Sequence, residues 1–223
     1  MELPDQIGVM TLPGVTLFPQ SMLPLYIFEP RYRRMLQDAL VSHRLFCVAM
    51  RRPTSSRETP EPVAGLGLIR ASVAHRNGTS HLILQGLTRV RLGRATKYKP
   101  YRVHEIASLP TTGDRGGAVK QELKRVKELV ARRLELGLIF PSPSEGKSEG
   151  PKEVLVKAQD ILRYLDALAD PEQVGDMVAC SLLQDATHRQ AILQTADLPK
   201  RLQFLVRCLR SEIQRLEKGE TSA

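Results

Sequence analysis

The chain has 223 residues, 42% of them hydrophobic, with 33 Lys/Arg against 24 Asp/Glu for a formal net charge of +9. That length accommodates one large domain or two small ones with a real core, and no stretch approaches the roughly 18 consecutive apolar residues of a membrane span. Cys47, Cys180 and Cys208 stand far apart in apolar runs, which fits reduced, buried thiols in a cytoplasmic protein and neither a disulfide framework nor a metal site.

Charge is uneven: residues 1–110 carry 15 Lys/Arg against 7 Asp/Glu, and residues 111–223 carry 18 against 17. The basic front half and nearly neutral back half point to two parts with different surfaces. The opening MELPDQIGVM holds acid and no apolar run, unlike a signal peptide. In LPGVTLFPQSMLPLYIFEPRYRRMLQDAL, Leu12–Leu40, the prolines Pro13, Pro19 and Pro24 interrupt apolar residues. Proline has no N–H for a ladder, so strands here are short, bulged or at an edge. Tyr26-Ile27-Phe28 favours a strand, and Glu29-Pro30 starts a helix, because proline loses nothing in a first turn and glutamate faces the positive helix end. Tyr32, Met35, Leu36, Ala39 and Leu40 then recur at helical spacing.

Leu45–Met50 predicts a strand buried on both faces, 51–62 an exposed loop, and Val63–Ile69 a strand whose glycines let another backbone approach. Asn77-Gly78 predicts a two-residue type I′ turn that pairs Arg76 with Thr79, His75 with Ser80, Ala74 with His81 and Val73 with Leu82. In that register Ala71, Val73, Leu82 and Leu84 face the core, while His75 and His81 lie on opposite faces, which argues against a two-histidine metal site. On the next strand Val90 and Leu92 face in and Arg89 and Arg91 face out. A basic stripe continues through Arg94, Lys97, Lys99 and Arg102, with Tyr98 and Tyr101 between them.

TTGDRGG, 111–117, reads as a hinge between a β domain, 1–110, and a helical bundle, 118–218. Leu123, Val126, Val130, Leu134 and Leu138 mark a first helix, 141–152 a mobile loop, and Val154, Leu155, Ala158, Ile161, Leu162, Leu165 and Leu168 a second helix. Asp170-Pro171 caps a third helix carrying Val174, Met177, Val178, Leu182 and Leu183; a fourth begins near Asp185 and carries Ile192 and Leu193. Asp197 caps the last, with Leu198, Leu202, Leu205, Leu209, Ile213 and Leu216, and 219–223 form a disordered tail. The expected class is α+β: a compact antiparallel β domain with one packed helix, then a helical bundle.

LPGVTLFPQSMLPLYIFEPRYRRML, followed in order by GLGLI, the NG hairpin, QGLTRVRL and PYRV, resembles the amino-terminal substrate-recognition domain of the Lon protease family. GDMVACSLLQDATHRQAILQTADLPKRLQFLVRCLRSEI resembles the helical half of that domain, so the resemblance covers nearly the whole chain and is weakest over 111–152. It implies a PUA-like β domain with the Pro30 helix packed on it. It also implies an adaptor or chaperone-like protein that binds unfolded or exposed polypeptide, with a protease or a second copy of itself as further partners and no membrane. The family's ATPase needs a GxxxxGK[ST] loop, which this sequence lacks, and its serine–lysine protease belongs to a separate domain. The expectation is therefore a stand-alone, non-catalytic form without cofactors.

Under the resemblance, Phe28, Glu29, Arg31, Tyr32 and Arg34 border an apolar groove for client side chains. Charge reversal at Arg31 and Arg34 then weakens binding and leaves the thermal midpoint nearly unchanged. The residues alone give the corner a plainer role, with Tyr32 packed and Glu29 or Arg31 in a salt bridge. A second functional reading is RNA binding, since PUA-like domains include RNA binders. Arg89, Arg91, Arg94, Lys97, Lys99 and Arg102 would contact phosphates and Tyr98 and Tyr101 would stack on bases. Against it, the sequence has no Trp and few aromatic residues to serve as stacking platforms. His43, His104 and His188 lack ligand spacing, and no catalytic set emerges.

Overall fold

A computed structural model describes residues 3–55, 58–136 and 158–218. The predicted 141–152 loop and 219–223 tail, with Leu138, Val154 and Leu155, lie outside the described residues. The chain divides into two compact units, Met1–Thr111 with Arg189–Ala196, and Thr112–His188 with Asp197–Ala223. The division places Arg189–Ala196 with the strands, whereas the periodicity of the sequence groups them with the helices.

In the first unit the order is β1 (Gln6–Leu12), β2 (Met22–Ile27), α1 (Pro30–Leu40), β3 (Leu45–Met50), β4 (Val63–Ala74), β5 (Ser80–Lys97) and β6 (Arg102–Ser108). The sheet order is β2-β5-β4-β3-β1-β6, and β5 also pairs with β6. Five strands thus close a ring through the long β5, while β2 hangs on β5 as an edge strand and carries Pro24, which cannot donate to a ladder. Register shifts between Leu92 and Ala95 and between Ala95 and Lys97 bend β5 into the closure. The pairs are antiparallel except β1–β3, which run parallel with Val9 opposite Cys47. A parallel pair needs a long crossover, and the segment containing β2 and α1 supplies it.

All six residues of β3 are buried. One core cluster joins Met10, Leu17, Ile27, Phe46, Val48 and Leu84 to Tyr32, Met35, Leu36 and Ala39 of α1. The second, with Ile7, Val9, Cys47, Leu66 and Val90, lies on the opposite side of the same strands. The backbone predicted to approach the β4 glycines is that of Leu17-Phe18. A Cβ on Gly65 would collide with the Leu17 carbonyl, and one on Gly86 with the Phe18 carbonyl.

The β4–β5 hairpin departs from its expected register. Ala74 pairs with Ser80 and Val73 with His81. His75 N–H donates to Thr79 O at 2.8 Å, and Gly78 takes a positive φ of 79°. The loop is therefore three residues, Arg76-Asn77-Gly78, with glycine in the left-handed position, and not the two-residue turn. Asn77 stabilises it by accepting from Thr79 N–H at 3.1 Å. One extra loop residue turns every β4 side chain near the tip to the other face. Val73 is consequently 60% exposed, and His75 and His81 share a face with Nε2 and Nδ1 2.7 Å apart.

The remaining helices are α2 (Gly117–Glu135), α3 (Ala158–Ala167), α4 (Pro171–Leu182), α5 (Ala186–Gln194) and α6 (Leu198–Glu217), with Arg189–Gln194 of α5 belonging to the first unit. The two predicted aspartate caps form, Asp170 accepting from Glu172 N–H at 3.0 Å and Asp197 from Lys200 N–H at 2.9 Å, and Asp185, where a helix was expected to begin, accepts from Thr187 N–H at 2.7 Å. Val126, Val130, Leu165, Val174, Val178, Leu202, Leu205 and Leu209 are buried in this unit. So is Arg201, whose Nη1 lies 3.1 Å from Glu172 and 3.5 Å from Asp176. No described helix is long and apolar enough to cross a membrane.

Candidate functional site

At the strand-to-helix corner, Glu29 holds an extended conformation before Pro30 but makes no side-chain cap. Its carboxylate instead accepts from Arg31 Nε at 2.8 Å. The two outer nitrogens of Arg31 reach Glu58 at 2.5 and 3.1 Å, a two-point contact, and the guanidinium lies 4.5 Å above the Tyr32 ring. The hydrogen bond from Arg31 holds the Glu58 carboxyl below its usual range, with Arg102 and Arg51 adding at longer distance. The same bond raises Arg31 above its ordinary value.

The five corner residues do not gather into one groove. Phe28 is 59% exposed, whereas Tyr32 is 5% exposed and belongs to the core. Its hydroxyl accepts from Thr11 N–H and donates to Thr11 O, both at 3.1 Å, tying α1 to β1. Arg34 is exposed and pairs with Asp38 at 3.0 Å, and Asp38 also accepts from the Tyr101 hydroxyl at 2.8 Å.

The structure brings part of the corner together with part of the basic stripe. A cavity of about 290 Å³ has Arg31, Tyr32 and Glu58 on one side and Tyr98, Lys99 and Arg102 on the other. Arg102 lies 5.5 Å over the Tyr98 ring, and Lys97 5.3 Å over the Tyr101 ring. Glu58, from the loop before β4, is the member that sequence reasoning missed; a polar, proline-rich loop reads as solvated, and its charge alone marked it.

Arg89 is a correction. Expected to face outward for phosphate contact, it is 2% exposed, and its Nε donates to the Leu193 carbonyl at 3.1 Å. Residues 189–196 fold against this stretch of β5 and cover the face that alternation assigned to solvent. Arg91 is exposed, and Arg94 pairs with Glu105 at 3.2 Å.

An apolar surface lies on the outer face of β2, β5 and β4. Tyr26 pairs with His81 and His81 with Val73; Pro24 pairs with Ile83 and Ile83 with Ala71. Met22, Tyr26, Phe28, Val73 and Ile83 expose 57, 48, 59, 60 and 37% of their areas. The Tyr26 ring stacks on Phe28 at 5.9 Å and leans on His81 at 4.7 Å. Sequence reasoning did not single out Met22; alternation along β2 is the signal that finds it with Tyr26, and the one-residue register error hid Val73. Among the described residues no three His, Cys, Asp or Glu are placed to hold a metal ion.

Residues 6–211 match the family of ATP-dependent protease La (LON) substrate-binding domains. The Lon protease of Dictyoglomus thermophilum is 22% identical over 97% of this chain and 26% of its own length. For Lon protease 2 of Bdellovibrio bacteriovorus the figures are 23%, 100% and 27%. The chain thus spans about a quarter of the length of these relatives. The fold is similar to the N-terminal domain of Mycobacterium avium complex Lon protease, with a TM-score of 0.70 at 15% identity over 92% of this chain and 98% of that one. A Lon N-terminal domain protein from Xanthomonas campestris gives 0.61 at 19% identity over 91% and 97%.

Proposed function

The chain belongs to the family of Lon substrate-binding domains, and from that premise we propose that it recognises polypeptide, taking exposed apolar segments on the outer face of β2, β5 and β4 without catalysis of its own. The observation that carries the proposal is the contiguity of Met22, Tyr26, Phe28, Val73 and Ile83 on that face. A large rimmed apolar patch on a folded protein marks an interaction surface. Pro24 removes a donor from the β2 edge, so strand addition is disfavoured there and a client meets side chains on the face. His81, His75 and Arg76 rim the aromatic end and supply polar contacts. ATP hydrolysis forms no part of the proposal, since the 223 residues hold no GxxxxGK[ST] loop. RNA binding is the weaker reading, because Arg89 is buried and Arg94 is paired across the strand.

The test is binding of a permanently unfolded, apolar polypeptide, followed by fluorescence anisotropy. Replacing Tyr26 and Phe28 together by serine removes two exposed aromatic anchors, and affinity is expected to fall roughly tenfold or more. The thermal midpoint stays within a few degrees, because both side chains are about half exposed. Unchanged affinity in the double variant would sink this assignment of the surface.

A further inference from the structure

We infer that the cavity between the Glu29–Arg31 corner and the Tyr98–Arg102 turn is a receptor for a carboxylate of a bound polypeptide, and that Glu58 occupies it as an internal surrogate. The ligand is an acidic side chain or a free chain terminus. The inference rests on the polypeptide-binding proposal for its ligand, but it uses none of the residues of the apolar face.

Three observations converge. First, Arg31 is held from behind: Glu29 takes Nε, and the Tyr32 ring supports the guanidinium from below. Nη2 is shared, 2.7 Å from Glu29 and 3.1 Å from Glu58, so Nη1 and the second hydrogen of Nη2 face the cavity, and a planar fork of this kind suits a carboxylate. Second, Glu58 makes that two-point contact from a backbone with a φ of 44°, a left-handed conformation that non-glycine residues adopt at a cost. With 41% of its side chain exposed, the pair is of the partly solvated kind that contributes little to stability. A ligand that offers the same two oxygens displaces it without opening the core. Third, the charge favours an incoming anion. Arg31, Lys99 and Arg102 line the cavity and Arg51 adds a weaker through-space pull on Glu58, against Glu29 and Glu58 themselves. With Glu58 displaced, the positive potential of Arg31, Lys99 and Arg102 acts on the ligand, and the cavity's volume of about 290 Å³ accommodates the end of a polypeptide or one acidic side chain.

Anisotropy with short labelled peptides tests this. One peptide ends in a free carboxylate with neutral side chains; a second is amidated at the end and carries internal glutamates; a third is amidated with glutamine in their place. Glu58→Gln and Glu58→Ala are expected to bind at least one of the two acidic peptides roughly tenfold more tightly than the wild type, with no gain for the neutral peptide. Which acidic peptide gains identifies the carboxylate as terminal or side-chain. Arg102→Gln in the Glu58→Ala background is expected to remove most of the gain. Equal affinity of wild type and Glu58→Gln for both acidic peptides, with an unchanged thermal midpoint, overturns the inference and leaves Glu58 a structural ion pair. Equal gains for all three peptides, or a gain for a single-stranded RNA oligonucleotide alone, overturn it as well. If the unfolded apolar client still binds while the acidic peptides gain nothing, this inference fails alone. If no polypeptide binds any variant, the proposed function fails with it.

Discussion

Arg31 and Arg34 sit three positions apart on the same helix, yet reversing their charge is expected to have unequal effects on folding. Arg31→Glu sets a third carboxylate against Glu29 and Glu58, and after discounting for the third of the side chain that water reaches we expect a loss of about 1 kcal/mol or somewhat more. Arg34→Glu gives up an exposed i,i+4 pair with Asp38 and costs about 0.5 kcal/mol or less. Urea denaturation of the two variants separates them and revises the expectation that both spare stability. Tyr32→Phe removes the hydroxyl that joins the backbone N–H and C=O of Thr11 and is expected to cost about 1–3 kcal/mol. The Tyr101–Asp38 contact gives stability a dependence on pH at both ends. The hydrogen bond from Tyr101 lowers the Asp38 carboxyl, so that contribution is present above the ordinary carboxylate range and is lost as pH falls through the lowered value. Burial first, and then the bond to Asp38, push the Tyr101 phenol up to about 12, so its contribution holds below the usual value and fades as pH rises toward that point. Burial also raises Tyr32, so ultraviolet titration of the wild type is expected to show late tyrosinate ionisation whose amplitude Tyr101→Phe reduces by one residue. The joint itself was legible in Phe28-Glu29-Pro30-Arg31-Tyr32 because a proline stop and a local charge act within one turn. Glu58 was not, since a contact across 27 positions leaves no period to read.

Among the elements, capping was the most legible feature, because an aspartate side chain and the amides it serves lie within three residues of each other. Asp197→Ala is expected to cost about 1 kcal/mol. Asp170→Ala is expected to cost more, since it also releases Arg115, which lies 3.0 Å from the carboxylate. Guanidinium melts of both variants check the order. The hairpin shows where local signals stop. Asn77-Gly78 serves a two-residue and a three-residue loop equally well, and the residues leading into it do not choose between them. The choice is made by pairing further back, where β2 lies on β5 and a register shift falls between Ile69 and Ala71. Close approach at Gly65 was foreseen from the two glycines, but its partner, the Leu17 carbonyl, was not. Gly65→Ala pushes a methyl group into that carbonyl and is expected to cost about 1–3 kcal/mol or more, with the thermal midpoint as the measure.

At the scale of the whole molecule, the α+β division was legible from the change of period after residue 117, but the burial of Arg89 and Arg201 was not. Hydropathy assigns arginine to water, so nothing in the pattern distinguishes Arg89 and Arg201 from their exposed neighbours. Each lies inside its own unit with acceptors arranged around it, Leu193 O for Arg89 and Glu172 and Asp176 for Arg201. Arg201→Ala leaves the buried Asp176 facing its cavity without that counter-charge, and a loss of about 3–5 kcal/mol is expected in denaturant melts. Arg201→Met, which fills the volume, is expected to recover only part of it, because the guanidinium that faced Asp176 is still gone.

The completion of the strand-rich unit by Arg189–Ala196 has a consequence in time. A ribosome delivers every strand of the ring before it delivers Leu193, whose carbonyl receives Arg89 from 104 positions earlier. Gln190, which donates to the Val63 carbonyl at 2.9 Å, arrives with it. From the end of β6 at Ser108 to Leu193 the interval at ~5–20 residues per second is about 4–17 s, during which the ring pairs with its seam open. For those seconds the nascent protein presents unfinished surface to its surroundings, and so resembles the clients it is proposed to hold.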